Sequence, residues 1–124
     1  MVLQIWPAQG LAATFRLIYE DTVDEVAVDN VADGPCIVYA VYLTSQSSAT
    51  AFMKFYDHAN PTVGTTAPNM ILPQLSAGGG PFLWMFRNGV EFQTALSFAA
   101  VTTAGTAGTT APTGGDLSMA LVVR

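Results

Sequence analysis

The sequence predicts an all-β protein, an antiparallel two-sheet β-sandwich with Greek-key or jelly-roll-like connectivity and about seven to nine strands. Short apolar segments rich in β-branched and aromatic residues alternate with turn signals along the chain. No segment combines helical periodicity with good helix-forming residues. The most hydrophobic run, Cys36 to Leu43, is too short to span a membrane and predicts a central strand buried on both faces.

The composition indicates one domain with more apolar residues than its own core can bury. The chain has 124 residues, of which 51% are hydrophobic and only 10% are charged. A domain of this size has a large surface for its volume, so some apolar side chains are expected outside the core. We therefore expect a homo-oligomer, a dimer or trimer, or a component of a larger assembly. Residues 1–11 predict an extended N-terminal arm, and residues 12–124 predict a single sandwich domain.

The first half of the domain predicts strands that flank the central one. Residues 12–20 alternate between two faces, as a half-exposed strand does. The valines of the acidic segment that follows flank or form a second short strand. Residues 49–57 predict a hairpin partner of the central strand, with three side chains facing outward: Phe52, Lys54 and Tyr56.

The second half predicts further strands separated by turns. Residues 69–75 contain Pro73, which lacks an N–H, so this strand should lie at a sheet edge or carry a bulge. Asn88-Gly89 predicts a type I′ hairpin turn after the apolar run 82–86. Residues 103–115 contain only Thr, Ala, Gly and Pro and predict a loop that buries nothing.

The charge distribution argues against direct nucleic-acid binding. The net charge is −5, and the chain has only 4 basic residues, whereas phosphate binding needs clustered Lys and Arg. Six acidic residues lie between positions 20 and 33, which indicates a solvated face. A cation site or a docking face for a basic partner is the alternative, although the spacing is not that of an EF-hand.

The sequence offers no constellation for catalysis, and we predict no catalytic, cofactor-binding or metal-binding residues. His58 follows Asp57, but no Gly-x-Ser-x-Gly nucleophile motif accompanies it. Cys36 is the only cysteine, so no intrachain disulfide can form, and its apolar strand predicts a buried thiol. Assembly in a reducing cytoplasm fits this cysteine content.

Aromatic and large apolar residues are the candidates for binding a partner. We predict that five of them contact another protein: Ile5, Trp6, Phe52, Tyr56 and Trp84. The alternative is that Trp6, Trp84 and outward-facing tyrosines form a sugar-binding platform, which in the virion context that the resemblance below implies would lie on a tail or surface.

Several segments resemble small β-sandwich proteins of tailed phages, some of which are capsid decoration (cement) proteins. The resemblance covers roughly residues 34 to 124 and is carried by these segments: Ile37–Tyr42, Phe52–Asp57, Pro61–Thr65, Pro68, Gly78–Gly80 and Phe92–Ser97. The chain departs from the family pattern at Ala95, where a glycine is common, and at Gln46, near which an asparagine is common.

This resemblance implies a non-enzymatic protein of the capsid surface, assembled in the host cytoplasm. It would bind the major capsid protein and clamp neighbouring subunits of the lattice. The first 33 residues match no part of the family pattern, and we expect the arm, with Ile5 and Trp6, to supply docking specificity.

Overall fold

A computed structural model describes residues 3–7, 15–74 and 81–124 of the chain, and these residues form an all-β fold. Its strands are β1 (Leu3–Pro7), β2 (Arg16–Val23), β3 (Cys36–Ser45), β4 (Ala51–Asp57), β5 (Met70–Gln74), β6 (Phe82–Phe92), β7 (Leu96–Val101) and β8 (Leu117–Val123). They form a five-stranded sheet, in the order β1-β2-β8-β3-β6, and a three-stranded sheet, in the order β5-β4-β7. Every pairing is antiparallel, so the predicted two-sheet sandwich is confirmed.

The core lies between the two sheets. Strands of both sheets contribute alternate side chains to one cluster of buried residues, among them Val41 and Leu43 of β3 and Phe55 and Phe98 of the smaller sheet. The rings of Phe55 and Phe98 are 6.3 Å apart between centroids. Each strand alternates between an inner and an outer face, so the inward-facing side chains of the two sheets meet in this cluster and form the apolar layer between them.

The central strand β3 is buried on one face only, which corrects the prediction that both of its faces are covered. Val38, Val41 and Leu43 are fully buried, whereas Tyr42 is 45% exposed. The hydrophobic run therefore reflects a strand that is apolar on both sides but covered on one. The pairing register of β3 shifts between Val38 and Ala40. The inward-facing residues are therefore Val38 before the shift and Val41 and Leu43 after it.

Asn88 and Gly89 do not form the predicted hairpin, because β6 continues through them to Phe92. The register with β3 jumps from Ala40–Met85 to Val38–Val90, so the dipeptide lies in a bulge of a single strand. Gly89 has a φ of 76°, and a β-carbon there would collide with Ile37 and Tyr39. Gly89 thus adopts, inside the edge strand β6, the left-handed backbone conformation for which Asn-Gly is favoured in hairpin turns.

The three-stranded sheet agrees with one prediction and corrects two others. β4 pairs with β5 and β7, so it does not form the predicted hairpin with the central strand β3. β5, which contains Pro73, is an edge strand, as expected. The Thr/Ala/Gly loop 103–115, in contrast, covers a buried side chain: the Lys54 ammonium donates hydrogen bonds to the carbonyls of Gly108 (2.9 Å) and Thr106 (3.4 Å). A loop of small residues can approach the sheet closely enough for its carbonyls to solvate this amine.

The acidic segment after β2 protects the other edge of the smaller sheet. The backbone of Val28 pairs with Phe98 of β7 in both directions, at 2.9 and 3.1 Å. Val31 donates to the Leu96 carbonyl, and the Asp24 carbonyl accepts from Ala100. The segment therefore contributes a single bridge and irregular pairing in place of the possible second strand.

Strand β1 lies inside the segment predicted as an extended arm. Its backbone is extended and pairs with β2 as the edge of the five-stranded sheet, from Leu3 opposite Glu20 to Pro7 opposite Arg16. The division of the chain at residues 11 and 12, and the contact of the arm with a neighbouring molecule, stay predictions.

Candidate functional site

The strongest candidate for a functional site is the outer face of the five-stranded sheet. Cross-strand register places eight apolar or aromatic residues on this face in two rows of four. The rows are Leu17, Val122, Ala40 and Met85, and Tyr19, Ala120, Tyr42 and Leu83. These eight residues are called the outer face below. They lie on β2, β8, β3 and β6 and contain no charged side chain.

The most exposed side chains of the outer face lie on β6. Leu17 on β2 is 36% exposed, Tyr42 on β3 is 45% exposed, and Leu83 and Met85 on β6 are 59% and 75% exposed. Large apolar side chains of this exposure normally occur singly on a protein surface, whereas a contiguous group marks a place where another molecule binds.

The outer face is bounded by polar residues at one end of the strands and by Arg124 with the packed rings of Phe15 and Tyr39 at the other. Thr44 and Ser118, which pair across β3 and β8, follow the Tyr42 row. At the opposite end, the Arg124 guanidinium lies over the Phe15 ring, 5.9 Å from its centroid. An apolar centre with a polar rim is the usual composition of a protein–protein interface.

The dimensions of the outer face follow from sheet geometry. Four strands at a spacing of about 4.8 Å are about 19 Å wide, and two rows occupy about 14 Å along the strands, which gives roughly 270 Å² in projection. A stable interface buries about 800 Å² per partner, so the outer face alone supplies only part of one.

Of the two predicted partner-binding residues of the arm, Trp6 lies next to the outer face in register, whereas Ile5 lies beside the core-facing Ile18. Trp6 is the Cα partner of Leu17, and Ile5 is the Cα partner of Ile18. The side chains of β1 lie outside the described residues, so the contacts predicted for Ile5 and Trp6 stay predictions.

The other three predicted residues do not lie together. Phe52 is half-buried on the side of β4 that faces away from the core, and Trp84 is half-buried on the core side of β6. Tyr56 is 0% exposed, so the prediction that it faces outward to a partner is wrong. The reason is that other residues of the chain cover Lys54 and Tyr56, which follow Phe52 on the same face of β4.

Sequence reasoning missed Leu17, Tyr42, Leu83 and Met85. Exposure alternates along β6, where Leu83 and Met85 are exposed while Phe82, Trp84 and Phe86 pack against the core, but the sequence of this run is apolar throughout and carries no matching alternation. On β2 the inner positions are Ile18 and Glu20, and the more apolar pair, Leu17 and Tyr19, faces outward. A strand with apolar residues on both faces cannot be assigned an inner face from its own sequence.

Asp57 holds the turn between β6 and β7, and it does not activate the adjacent histidine. Its carboxylate accepts N–H hydrogen bonds from Gln93 (3.0 Å), Thr94 (2.7 Å) and Ala95 (3.1 Å). Burial would raise the pKa of the Asp57 carboxyl, but the three backbone donors outweigh it and lower the pKa below its usual value.

His58 is exposed, and the hydrogen bond of its ring is local, whereas its backbone bonds to the start of β7. The Nδ1 atom accepts from the Asn60 N–H at 3.0 Å, and the His58 carbonyl accepts the Ser97 hydroxyl proton at 2.6 Å. In the hydrogen bonds described for this turn, the imidazole therefore bonds to neither a serine hydroxyl nor Asp57, as a catalytic triad would require. The hydrogen bonds of His58 hold the loop in place.

The described residues also line small surface pockets. One, of about 220 Å³, is lined by Asp21, Thr22, Gln46, Asp116 and Ser118, and a second, of about 260 Å³, is lined partly by Cys36 and Glu91. Cys36 is buried, as predicted, and burial raises the pKa of its thiol to about 11. Among residues 15–74 and 81–124, no three His, Cys, Asp or Glu side chains are grouped as metal ligands would be.

The described part of the chain contains no helix able to cross a membrane. Comparison of the sequence with protein-family models and curated proteins, and of the fold with solved structures, finds no match. The resemblance to phage β-sandwich proteins therefore rests on the sequence segments given above.

Proposed function

We propose that the chain is a non-enzymatic structural protein of a phage virion, a capsid decoration or cement protein that binds the major capsid protein. The observation that carries this proposal is the outer face, an uncharged apolar surface that crosses four strands of a rigid sheet. A sheet held on both sides by neighbouring strands offers a preformed surface, so little conformational entropy is lost when it docks.

The physical role of such a protein is to add binding energy across a seam of the capsid. Packaged DNA pushes capsid subunits apart, and a sandwich bound to two neighbours must be detached before they separate. Covering the outer face would remove from water the exposed parts of Leu17, Tyr42, Leu83 and Met85. At about 25 cal/mol per Å² of apolar area, a fully covered large side chain contributes roughly 2 kcal/mol, so partial exposures add to about 4 kcal/mol.

The remaining affinity would come from the arm. Trp6 continues the Leu17 row onto β1 by register, so β1 lies where it could extend the outer face. Ile5 and Trp6 are the residues in this segment that we propose contact a neighbouring capsid subunit. Removing residues 1–10 should then weaken capsid binding, and unchanged binding would refute this part of the proposal.

The test is cosedimentation with shells assembled from the major capsid protein encoded in the same genome. Wild-type protein should sediment with the shells, and Tyr42→Lys should reduce the affinity about tenfold or more because it places a charge at the centre of the outer face. Val26→Lys is the matched control, since Val26 is 59% exposed but lies outside this face. Equal binding by the two variants would remove the outer face from the interface.

The sugar-binding alternative predicts a different outcome of the same design. Tyr19 and Tyr42 lie in one row with Ala120 between them and could present rings to a sugar. Glycan binding that is lost in Tyr42→Ala, with no affinity for shells, would support a sugar-binding module. Trp84 packs against the core, so its removal is expected to affect stability before it affects any ligand.

A further inference from the structure

The edges of the two sheets differ in how they are protected against pairing with another strand. The edge of β7 is covered by the backbone of the acidic segment, through the bridge between Val28 and Phe98. The edge strand β5 contains Pro73, which cannot donate to a further strand. The edge strand β1 is described over 5 residues, the last of which is Pro7. Short strands, prolines and covering loops are the usual ways in which sheets avoid edge-to-edge association.

The fourth edge, β6, lacks this protection over its first half. The strand has 11 residues, and no residue that the structure describes pairs with the side facing away from β3. The half from Arg87 onward carries charges and the Asn88-Gly89 bulge, which disfavour further pairing. The half from Phe82 to Phe86 is regular, uncharged and apolar on both faces.

The burial of β6 is also incomplete on both of its faces. Leu83 and Met85 are the most exposed residues of the outer face, and Phe82, Trp84 and Phe86 are only partly buried on the core side. Coverage of the outer face is therefore lowest at this sheet edge. A further strand beside β6 would cover side chains of both faces at once.

We propose that Phe82–Phe86 pairs antiparallel with the same segment of a second copy of this chain, about a two-fold axis at Trp84. In this register Phe82 lies opposite the second copy's Phe86, and Leu83 lies opposite its Met85, so every pair is apolar. Arg87 falls opposite Pro81, outside the apolar run. An antiparallel strand about a two-fold axis is complementary to itself, and this makes a second copy a fitting occupant of the edge.

The pairing joins two five-stranded sheets into one continuous sheet and places both outer faces on the same side. Their combined projected area is roughly 540 Å², twice that of one copy, and therefore closer to the area of a stable interface. The dimer would bind a lattice of identical subunits through two linked sites, which raises the affinity without new kinds of contact. This last step rests on the proposed function, whereas the dimer itself does not.

The register is tested by cysteine crosslinking of the full chain under mild oxidation. The double variant Leu83→Cys/Met85→Cys should form a disulfide-linked dimer, because opposite residues are about 5 Å apart between Cα atoms. Each single variant should stay uncrosslinked. Its cysteine and the same cysteine of the second copy are offset by two residues along the paired strands, so they are diagonal neighbours about 7 Å or more apart. The native Cys36 is buried and serves as the internal negative control.

Sedimentation equilibrium without shells supplies the second measurement. The wild-type chain should dimerise reversibly, and Met85→Lys should raise the dissociation constant about tenfold or more. Leu17→Lys changes the outer face three strands away from β6 and should leave the dimer intact. A wild-type chain that stays monomeric, or a single cysteine variant that crosslinks, would overturn the proposed pairing, and neither result depends on capsid binding.

Discussion

Removing the Asp57 carboxylate should destabilise the fold by about 2 kcal/mol, because one side chain satisfies three backbone N–H groups of the turn at residues 93–95. Hydrogen bonds to a charged group contribute about 1.5–3 kcal/mol each when water is excluded, but Asp57 is only half-buried, so water replaces part of the loss. For a chain of this length, about 2 kcal/mol corresponds to a decrease in melting temperature of roughly 8 °C.

The assay is thermal unfolding of Asp57→Ala beside Asp29→Ala, which removes an exposed carboxylate. The pH dependence gives an independent check. Because the pKa of Asp57 is lowered in the folded state, its stabilisation is present above the unfolded value near 3.8 and is lost as pH falls through the folded pKa. The difference between wild type and Asp57→Ala should therefore shrink between about pH 5 and pH 2. Equal melting temperatures for the two variants at neutral pH would refute this account of the turn.

Three further substitutions test the buried polar groups and the bulge. Glu20→Gln should stabilise the protein by about 1 kcal/mol at pH 7. Burial raises the pKa of the Glu20 carboxyl, and its Oε2 atom has no partner among the described residues. The gain in stability should vanish as pH falls below about 4.5, where the carboxyl is protonated in both the folded and the unfolded chain. Lys54→Met should accelerate amide hydrogen exchange in the loop at residues 103–110 while exchange in β3 is unchanged, and an unchanged loop would show that the amine does not hold it. Gly89→Ala should lower the unfolding free energy by about 2 kcal/mol in denaturant titration, and a neutral effect would contradict the positive φ of the bulge.

The fold class could be predicted from the sequence because strand length, turn residues and the absence of helical periodicity all agree. Pro73 placed β5 at an edge for a local reason, the missing N–H, and the structure confirms it. Asn88-Gly89 shows the limit of local chemistry: the dipeptide requires a left-handed residue at Gly89, but a bulge meets this requirement as well as a hairpin does. Only the pairing partner decides between them.

The candidate site was less predictable because the sequence does not reveal which apolar face of a strand is covered. Tyr56 and Tyr42 both lie in apolar segments of the sequence, yet in the structure Tyr56 is buried and Tyr42 is exposed. The difference depends on what covers each sheet: the loop 103–115 lies over Lys54, whereas no described residue covers the outer face to the same extent. The surplus of apolar residues could be predicted from composition, but its location depends on tertiary packing.

The central claim is that another protein covers the outer face, and the oxidation rate of Met85 tests it most directly. Met85 is 75% exposed, whereas Met53 and Met119 are buried, so peroxide should oxidise Met85 rapidly in the free protein while these two react slowly. Peptide mass spectrometry of protein bound to shells of the major capsid protein should show that Met85 is strongly protected. Oxidation of Met85 at the same rate in free and shell-bound protein would contradict the claim.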